Sequence, residues 1–266
     1  MPIDCKIRII DDQLEMGPMR PSLELSGIVI IVGNYGSGKT EVAINLAIDQ
    51  RRKGKKVRVA DLDLVNPYFR TREARETLTG LGIEVLVPPK EMLQADLPIL
   101  MPQVAGAIRQ SNGLTILDAG GDDVGATVLA ALADAFQSAS QPITTLQVVN
   151  PYRPNTDTLE RCFAMRSAIE SASGLDVNGW IGNANLMDET TVEHLEQGYA
   201  FMQQLAQASG LPLAFIAVEH RHLDKIDHGA MQCPVLTLYR QLVPPWKKSF
   251  ELSLRDSSPD KDPDKE

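Results

Sequence analysis

The feature that most constrains this chain is one junction. A run of aliphatic, mostly β-branched residues (GIVIIV) leads directly into Gly33-Asn34-Tyr35-Gly36-Ser37-Gly38-Lys39-Thr40, and the residues that follow (EVAINLAI) carry helical spacing. Strand, G-x-x-x-x-G-K-T loop and helix in that order form a phosphate cradle. The glycines let the backbone turn tightly enough to aim successive N–H groups at phosphate oxygens, and the helix adds the positive end of its dipole. Lys39 is placed to reach the β and γ phosphates, and the Thr40 hydroxyl to ligate Mg²⁺. A chance match to the pattern in a chain of this length has a probability of roughly 0.01, so a purely structural glycine turn is the weaker reading. The residues expected to hold nucleotide here are Gly33, Asn34, Tyr35, Gly36, Ser37, Gly38, Lys39, Thr40 and Glu41.

Beyond this junction, apolar runs at 28–32, 57–62, 84–87, 114–117, 144–149, 179–182, 213–218 and 235–238 alternate with segments of helical period at 39–53, 71–81, 97–111, 126–136, 156–173 and 191–209. Several of the runs are continuously apolar, as strands covered on both faces must be. Such alternation with short links predicts an α/β fold: a single doubly wound, mainly parallel sheet with helices on both faces, its ligands at the carboxyl ends of the strands. The last of these helices is expected to open with a capping box of Thr190 and Glu193. It carries Val192, Leu195, Tyr199, Met202 and Leu205 on one stripe.

A chain of 266 residues with 43% apolar content has room for one sizeable core or two small ones. No segment inside it has linker composition, so residues 27–255 are read as one nucleotide-binding domain. Residues 1–26 are read as an arm or edge strand, and 256–266, which closes on PDKDPDKE, as a disordered acidic, proline-containing tail. The net charge of −9 offers no general attraction to nucleic acid or anionic lipid. Cys5, Cys162 and Cys233 form no CxxC pair, and no run approaches a membrane span, which together suggest reduced thiols in a cytoplasmic protein.

Two further segments bring carboxylates to strand ends. Asp118 closes the apolar run TIL and is followed by Gly120 and Gly121, so it is placed to hold Mg²⁺ directly or through water, with the Gly121 N–H directed at the γ-phosphate. Asp61 and Asp63, spaced i, i+2 after the run VRVA, are placed to serve the metal and the attacking water. Asp122 and Asp123 start the next helix on the same reading, where acids favour the dipole. The competing reading for each is an ordinary turn or solvated loop.

Taken together, Gly33–Thr40, Asp61 with Asp63, Asp118 to Gly121, Asn150-Pro151 and Asn183 in GWIGNANL resemble the MinD/ParA/Mrp/CobQ-CobB branch of the SIMIBI class of P-loop proteins, over about 28–238. The resemblance implies that Asp63 positions or activates the hydrolytic water, that Thr40, Asp61 and Asp118 serve the metal, and that Asn183 hydrogen-bonds adenine. No Asn/Thr-Lys-x-Asp segment of the kind that selects guanine follows these strands. On this reading the catalytic residues are Lys39, Asp63 and Asp118, and the cofactors are ATP and Mg²⁺.

Two departures stand out. The branch's signature lysine, which reaches across an ATP-sandwiched dimer, follows the first loop glycine; Asn34 occupies that position here. Arg70, Arg72 and Arg153 are the candidates to replace its charge in what remains a possible homodimer. The paired cysteines of iron–sulfur carriers are also missing near the last strands, where only Cys233 stands. Trp246, Phe250 and Leu254 share a short helical face beside Lys247 and Lys248, too little for stable membrane anchoring. The leading functional expectation is an ATPase switch acting on a protein partner. The alternative is a small-molecule enzyme of the dethiobiotin-synthetase or cobyrinate-amidase kind, with Pro67-Tyr68-Phe69-Arg70 and Pro151-Tyr152-Arg153-Pro154 lining a carboxylate pocket.

Overall fold

The computed structural model describes residues 22–63, 74–86, 101–121, 123–227 and 229–242. Among them, eight strands form one sheet: β1 (Ile28–Gly33), β2 (Val57–Leu62), β3 (Glu84–Leu86), β4 (Leu114–Ala119), β5 (Ile143–Val149), β6 (Gly179–Gly182), β7 (Leu213–Glu219) and β8 (Val235–Leu238). Every pairing is parallel, and the order is β3-β2-β4-β1-β5-β6-β7-β8. The helices are α1 (Lys39–Arg52), α2 (Arg75–Gly80), α3 (Met101–Arg109), α4 (Asp123–Ala130), α5 (Ala133–Gln137), α6 (Leu159–Ser173) and α7 (Val192–Ser209).

The continuous apolar runs divide by alternation. On β1, Val29 and Ile31 join Val42, Leu46 and Leu78 beneath α1 and α2. Ile28, Ile30 and Val32 join Val104, Leu129, Phe136 and Ile169 beneath α3 to α6 on the other face. The expected α7 stripe is also seen: Leu195, Tyr199, Met202 and Leu205 are buried against Trp180, Ile216 and Val218. From β1 the chain winds outward through β2 and β3, returns to β4 beside β1, and then builds β5 to β8 on the opposite side. The reversal leaves the crevice of a doubly wound sheet at the carboxyl end of β1.

Some expectations shift. The run read as one helix over 126–136 is two helices, with a turn at 131–132. Leu132 N bonds to Leu129 O at 3.0 Å, an i−3 closure that tightens the chain while both leucines stay buried. The helix expected from 156 begins at Leu159, capped by Thr158, because the Thr156 hydroxyl donates back to Asn150 O at 2.8 Å. The α7 capping box is Thr191 with His194, one residue later than the spacing suggested. The Thr191 hydroxyl accepts from His194 N at 3.3 Å, and His194 Nδ1 accepts from Thr191 N at 3.1 Å. Thr190 is taken by the preceding turn, donating to Met187 O at 2.8 Å and accepting from Leu186 N at 2.9 Å.

Residues 22–26 are not strand. Leu23 and Leu25 are buried, and Gln50 and Lys53 each donate to Leu23 O at 2.8 Å, so this stretch lies along α1. Cys162 and Cys233 are free of disulfides and buried, and burial pushes both thiols up to about 12, as suits structural cysteines. No helix of the described residues is long and apolar enough to cross a membrane. Cys5, the Trp246 stretch, the expected edge strand and the acidic tail all lie outside the described residues.

The cap assignment is testable by urea unfolding. Thr191→Ala should cost about 1 kcal/mol, whereas Glu193→Ala should stay within about 0.5 kcal/mol of the parent.

Candidate functional site

The glycine-rich loop leaves β1 at Gly33 and closes at Gly38, the N-terminal cap of α1. Gly38 has φ +90°, a backbone state that a side chain would strain, and a Cβ built there would run into the Asn183 Nδ2. The approach is functional for the fold, because Asn183 Nδ2 donates to Ser37 O at 2.7 Å and ties the loop to the end of β6. A second tie comes from Asn34, whose Nδ2 donates to Pro154 O at 2.7 Å in the connection after β5. Lys39 Nζ donates to Asn34 O at 3.1 Å. A Cβ built on Gly121 would stand 2.6 Å from that Nζ and 2.8 Å from Tyr35 N, so only glycine allows the segment after β4 to lie so close to the loop.

Behind the loop, Asp61 and Asp118 stand opposite each other in the β2–β4 register, both fully buried, and Ile31 of β1 is in register with Asp118. Asp63 is the first residue past β2. Its N–H donates to Asp61 Oδ1 at 3.1 Å, which turns the chain, and its own Oδ1 lies 3.6 Å from a Cβ built on Gly120. All three aspartates thus stand toward the carboxyl edge of the sheet because β2 and β4 end level.

A cleft of about 530 Å³ opens over this edge. Asn34, Tyr35, Gly36, Gly38, Lys39, Thr40, Glu41, Asp63 and Asn183 all line it. Gly33, Ser37, Asp61, Asp118 and Gly121 do not: they lie beneath or beside it, Ser37 wholly buried. A further stretch of its wall is Leu238, which ends β8, with Arg240 and Leu242 just beyond it. It is clipped to α1. Glu41 accepts from Gln241 N at 2.8 Å and Leu242 N at 3.0 Å, and Asn45 Oδ1 accepts from Tyr239 N at 2.8 Å. Burial pushes the Glu41 carboxyl up to about 7, against the pull of those two N–H groups.

The rim contains residues that the sequence did not single out as site residues. Asn155, Asn185, Met187 and Arg240 line the cleft. Asn150 Nδ2 donates to Asn185 O at 2.8 Å, joining the connections after β5 and β6. Arg240 is held by Asp188 at 2.7 Å and Glu219 at 3.2 Å. Their position in the connections that leave β5, β6 and β8 is the signal that marks them, since ligands in such sheets lie at that edge. Tyr152 is not part of the cleft wall: its hydroxyl donates to His194 O at 2.8 Å and its ring meets the His194 ring edge-on. Of the arginines weighed as substitutes for the signature lysine, Arg153 lines the cleft, while Arg70 and Arg72, with the segment Pro67 to Arg70, lie outside the described residues.

No family model matches the chain, and no curated protein matches it. Solved structures do. The cell division protein FtsY of Thermotoga maritima superposes with a TM-score of 0.53 at 18% identity, covering 72% of this chain and 61% of its own. The signal recognition particle receptor FtsY of Elizabethkingia anophelis, in complex with GDP, gives 0.51 at 18% identity, covering 74% and 58%. FtsY of Mycoplasma mycoides gives 0.50 at 18% identity, covering 72% and 60%. This chain therefore spans about 60% of the length of those proteins, and the likeness fixes its fold as that of the P-loop nucleotide-binding α/β proteins.

The two constraints at Gly38 predict that Gly38→Ala lowers the melting temperature of the nucleotide-free protein, by left-handed strain of about 1–2 kcal/mol and by displacing Asn183 from Ser37.

Proposed function

We propose that this chain is a magnesium-dependent ATP-binding protein and ATP hydrolase that works as a nucleotide switch for the assembly or regulation of a protein partner. The observation that carries this reading is a convergence at the carboxyl end of β1. Lys39 Nζ lies between Asn34 O and Gly121, Thr40 lines the same cleft, and Asp61 and Asp118 stand level on the adjacent strands.

The donor set suits Mg²⁺. Thr40, Asp61 and Asp118 offer hard oxygens, and no group of three or more His, Cys, Asp or Glu among the described residues forms an all-protein cage. That matches an ion held by one or two carboxylates with phosphate oxygens and water. When bound, it supplies positive charge to the β and γ phosphates. Lys39 adds its ammonium there, and the Gly121 N–H is directed to the same oxygens. Asp63 orients the attacking water through its carboxylate.

Adenine selection is supported by how Asn183 is held. With Nδ2 donating to Ser37 O, the remaining Oδ1 is buried, has no hydrogen-bond partner and can only accept. An acceptor suits the amino group of adenine and opposes the carbonyl oxygen at the same place in guanine. The MinD/ParA/Mrp branch is the finer family reading, supported by Asp61, Asp63, Asn150 and Asn183 all standing at strand ends. A switch role is supported by Gly120, which approaches both Asp63 and Gly125, so that one segment touches the water-positioning residue and the start of α4.

Calorimetry checks the site: Lys39→Ala should abolish magnesium-dependent nucleotide binding, while Asp63→Ala should keep affinity within a few fold and slow hydrolysis by roughly 10²-fold or more. Unchanged affinity in Lys39→Ala overturns the phosphate-site reading. Competition between ATP and GTP tests the base, with ATP expected to win and Asn183→Ala expected to reduce the margin. A GTP affinity equal to or above that of ATP would make this a guanine site.

A further inference from the structure

From the connection after β5 we infer that this chain completes its phosphate site in cis: Arg153 supplies the second cation to the terminal phosphate, and Asn34 positions the loop that carries it. The inference rests on the nucleotide-binding reading above. Its first support is the direction of Asn34. At the position where a cross-subunit lysine would have to point outward, the Asn34 side chain is 9% exposed and turned into its own chain, donating to Pro154 O at 2.7 Å. Arg153 and Asn155 flank that carbonyl, and all three residues line the cleft.

The second support is the stiffness of the connection. Asn150 O accepts from Arg153 N at 3.1 Å and from the Thr156 hydroxyl at 2.8 Å, and Arg153 O accepts from Thr156 N at 3.2 Å. Asn150 Oδ1 accepts from Tyr152 N at 3.1 Å, and Tyr152 reaches α7 through its hydroxyl. The backbone of Arg153 is thereby fixed at both its N–H and its carbonyl. Its side chain then runs along the phosphate loop, where Nε lies 3.9 Å from a Cβ built on Gly36.

The third support is the state of that nitrogen. Nε of Arg153 is buried without a hydrogen-bond partner. A buried guanidinium N–H is costly unless an acceptor meets it, and a phosphate oxygen in the cleft is the acceptor chemistry the surroundings admit. The other arginine on the cleft wall, Arg240, is already engaged by Asp188 and Glu219. Arg153 and Lys39 both line the cleft beside the loop, Arg153 near Gly36 and Lys39 near Gly121. A second subunit adds no charge that the site lacks, and two triphosphates brought face to face would repel.

Arg153→Ala, Arg153→Lys and Asn34→Ala are compared with the parent by calorimetry with Mg-ATP and Mg-ADP, and by light scattering in an Asp63→Ala background. Arg153→Ala should weaken triphosphate binding by roughly ten- to a hundred-fold and diphosphate binding by much less, with partial rescue by lysine. Asn34→Ala should lower the same triphosphate-to-diphosphate ratio, a change that general destabilisation would not produce. Mass should stay that of one chain with Mg-ATP. Parent-like triphosphate affinity in Arg153→Ala, or an ATP-dependent doubling of mass whether or not Arg153→Ala abolishes it, overturns the inference. If Lys39→Ala abolishes binding in the same series, the nucleotide site stands and only the cis assignment falls.

Discussion

A loop that must turn its own N–H groups toward a ligand cannot be fixed by pairing those N–H groups with the rest of the protein. The alternative is to hold it by its carbonyls and side chains, and that is what the contacts do. Asn34 O accepts from Ser37 N and Lys39 Nζ, Ser37 O from Asn183, and Gly38 O from Val42 N, while the Asn34 side chain reaches Pro154. Holding the loop mainly by carbonyls and side chains is what an anion site built from backbone N–H groups would require. The sheet supplies the anchors because β5 and β6 end level with β1.

The same logic explains the far wall. Segment 239–242 runs on past β8, and besides the Arg240–Glu219 ion pair to the end of β7, Glu41 and Asn45, one helical turn apart on α1, accept from its N–H groups. Glu41 follows the phosphate-loop threonine directly, so the loop, α1 and the wall after β8 are positioned by consecutive stretches of one helix. A nucleotide in this cleft would touch elements whose relative placement is set from the phosphate side.

What could be read from the sequence follows sequence separation. β1, the loop and α1 are contiguous, and their apolar and glycine patterns fix them; β2, β6 and β8 end where the apolar runs end. The bonds that build the cleft join residues 120, 146 and 200 positions apart, Asn34 to Pro154, Asn183 to Ser37 and Gln241 to Glu41, and no local pattern encodes them. The cap at Thr191 escapes the sequence for a different reason: two adjacent threonines offer the same hydroxyl, and the turn at 186–190 decides between them by claiming Thr190.

Among the described residues, the non-glycine residues at positive φ are Asn155, at 69°, and Met187, at 58°, and both line the cleft. Asparagine tolerates that conformation; methionine has no local means of compensation. Met187 is held there by its surroundings: its N–H donates to Asn185 Oδ1 at 2.6 Å, and its carbonyl accepts from Arg221 at 2.7 Å and from Thr190 at 2.8 Å. Strain kept in place by this many bonds is characteristic of binding sites. It sets a large, half-exposed apolar side chain at the rim, on the same cleft as Leu238 and Leu242, before any ligand arrives. The ordering of that rim is then completed during folding rather than at binding, and a flat ring seated between these residues would meet a surface that need not rearrange.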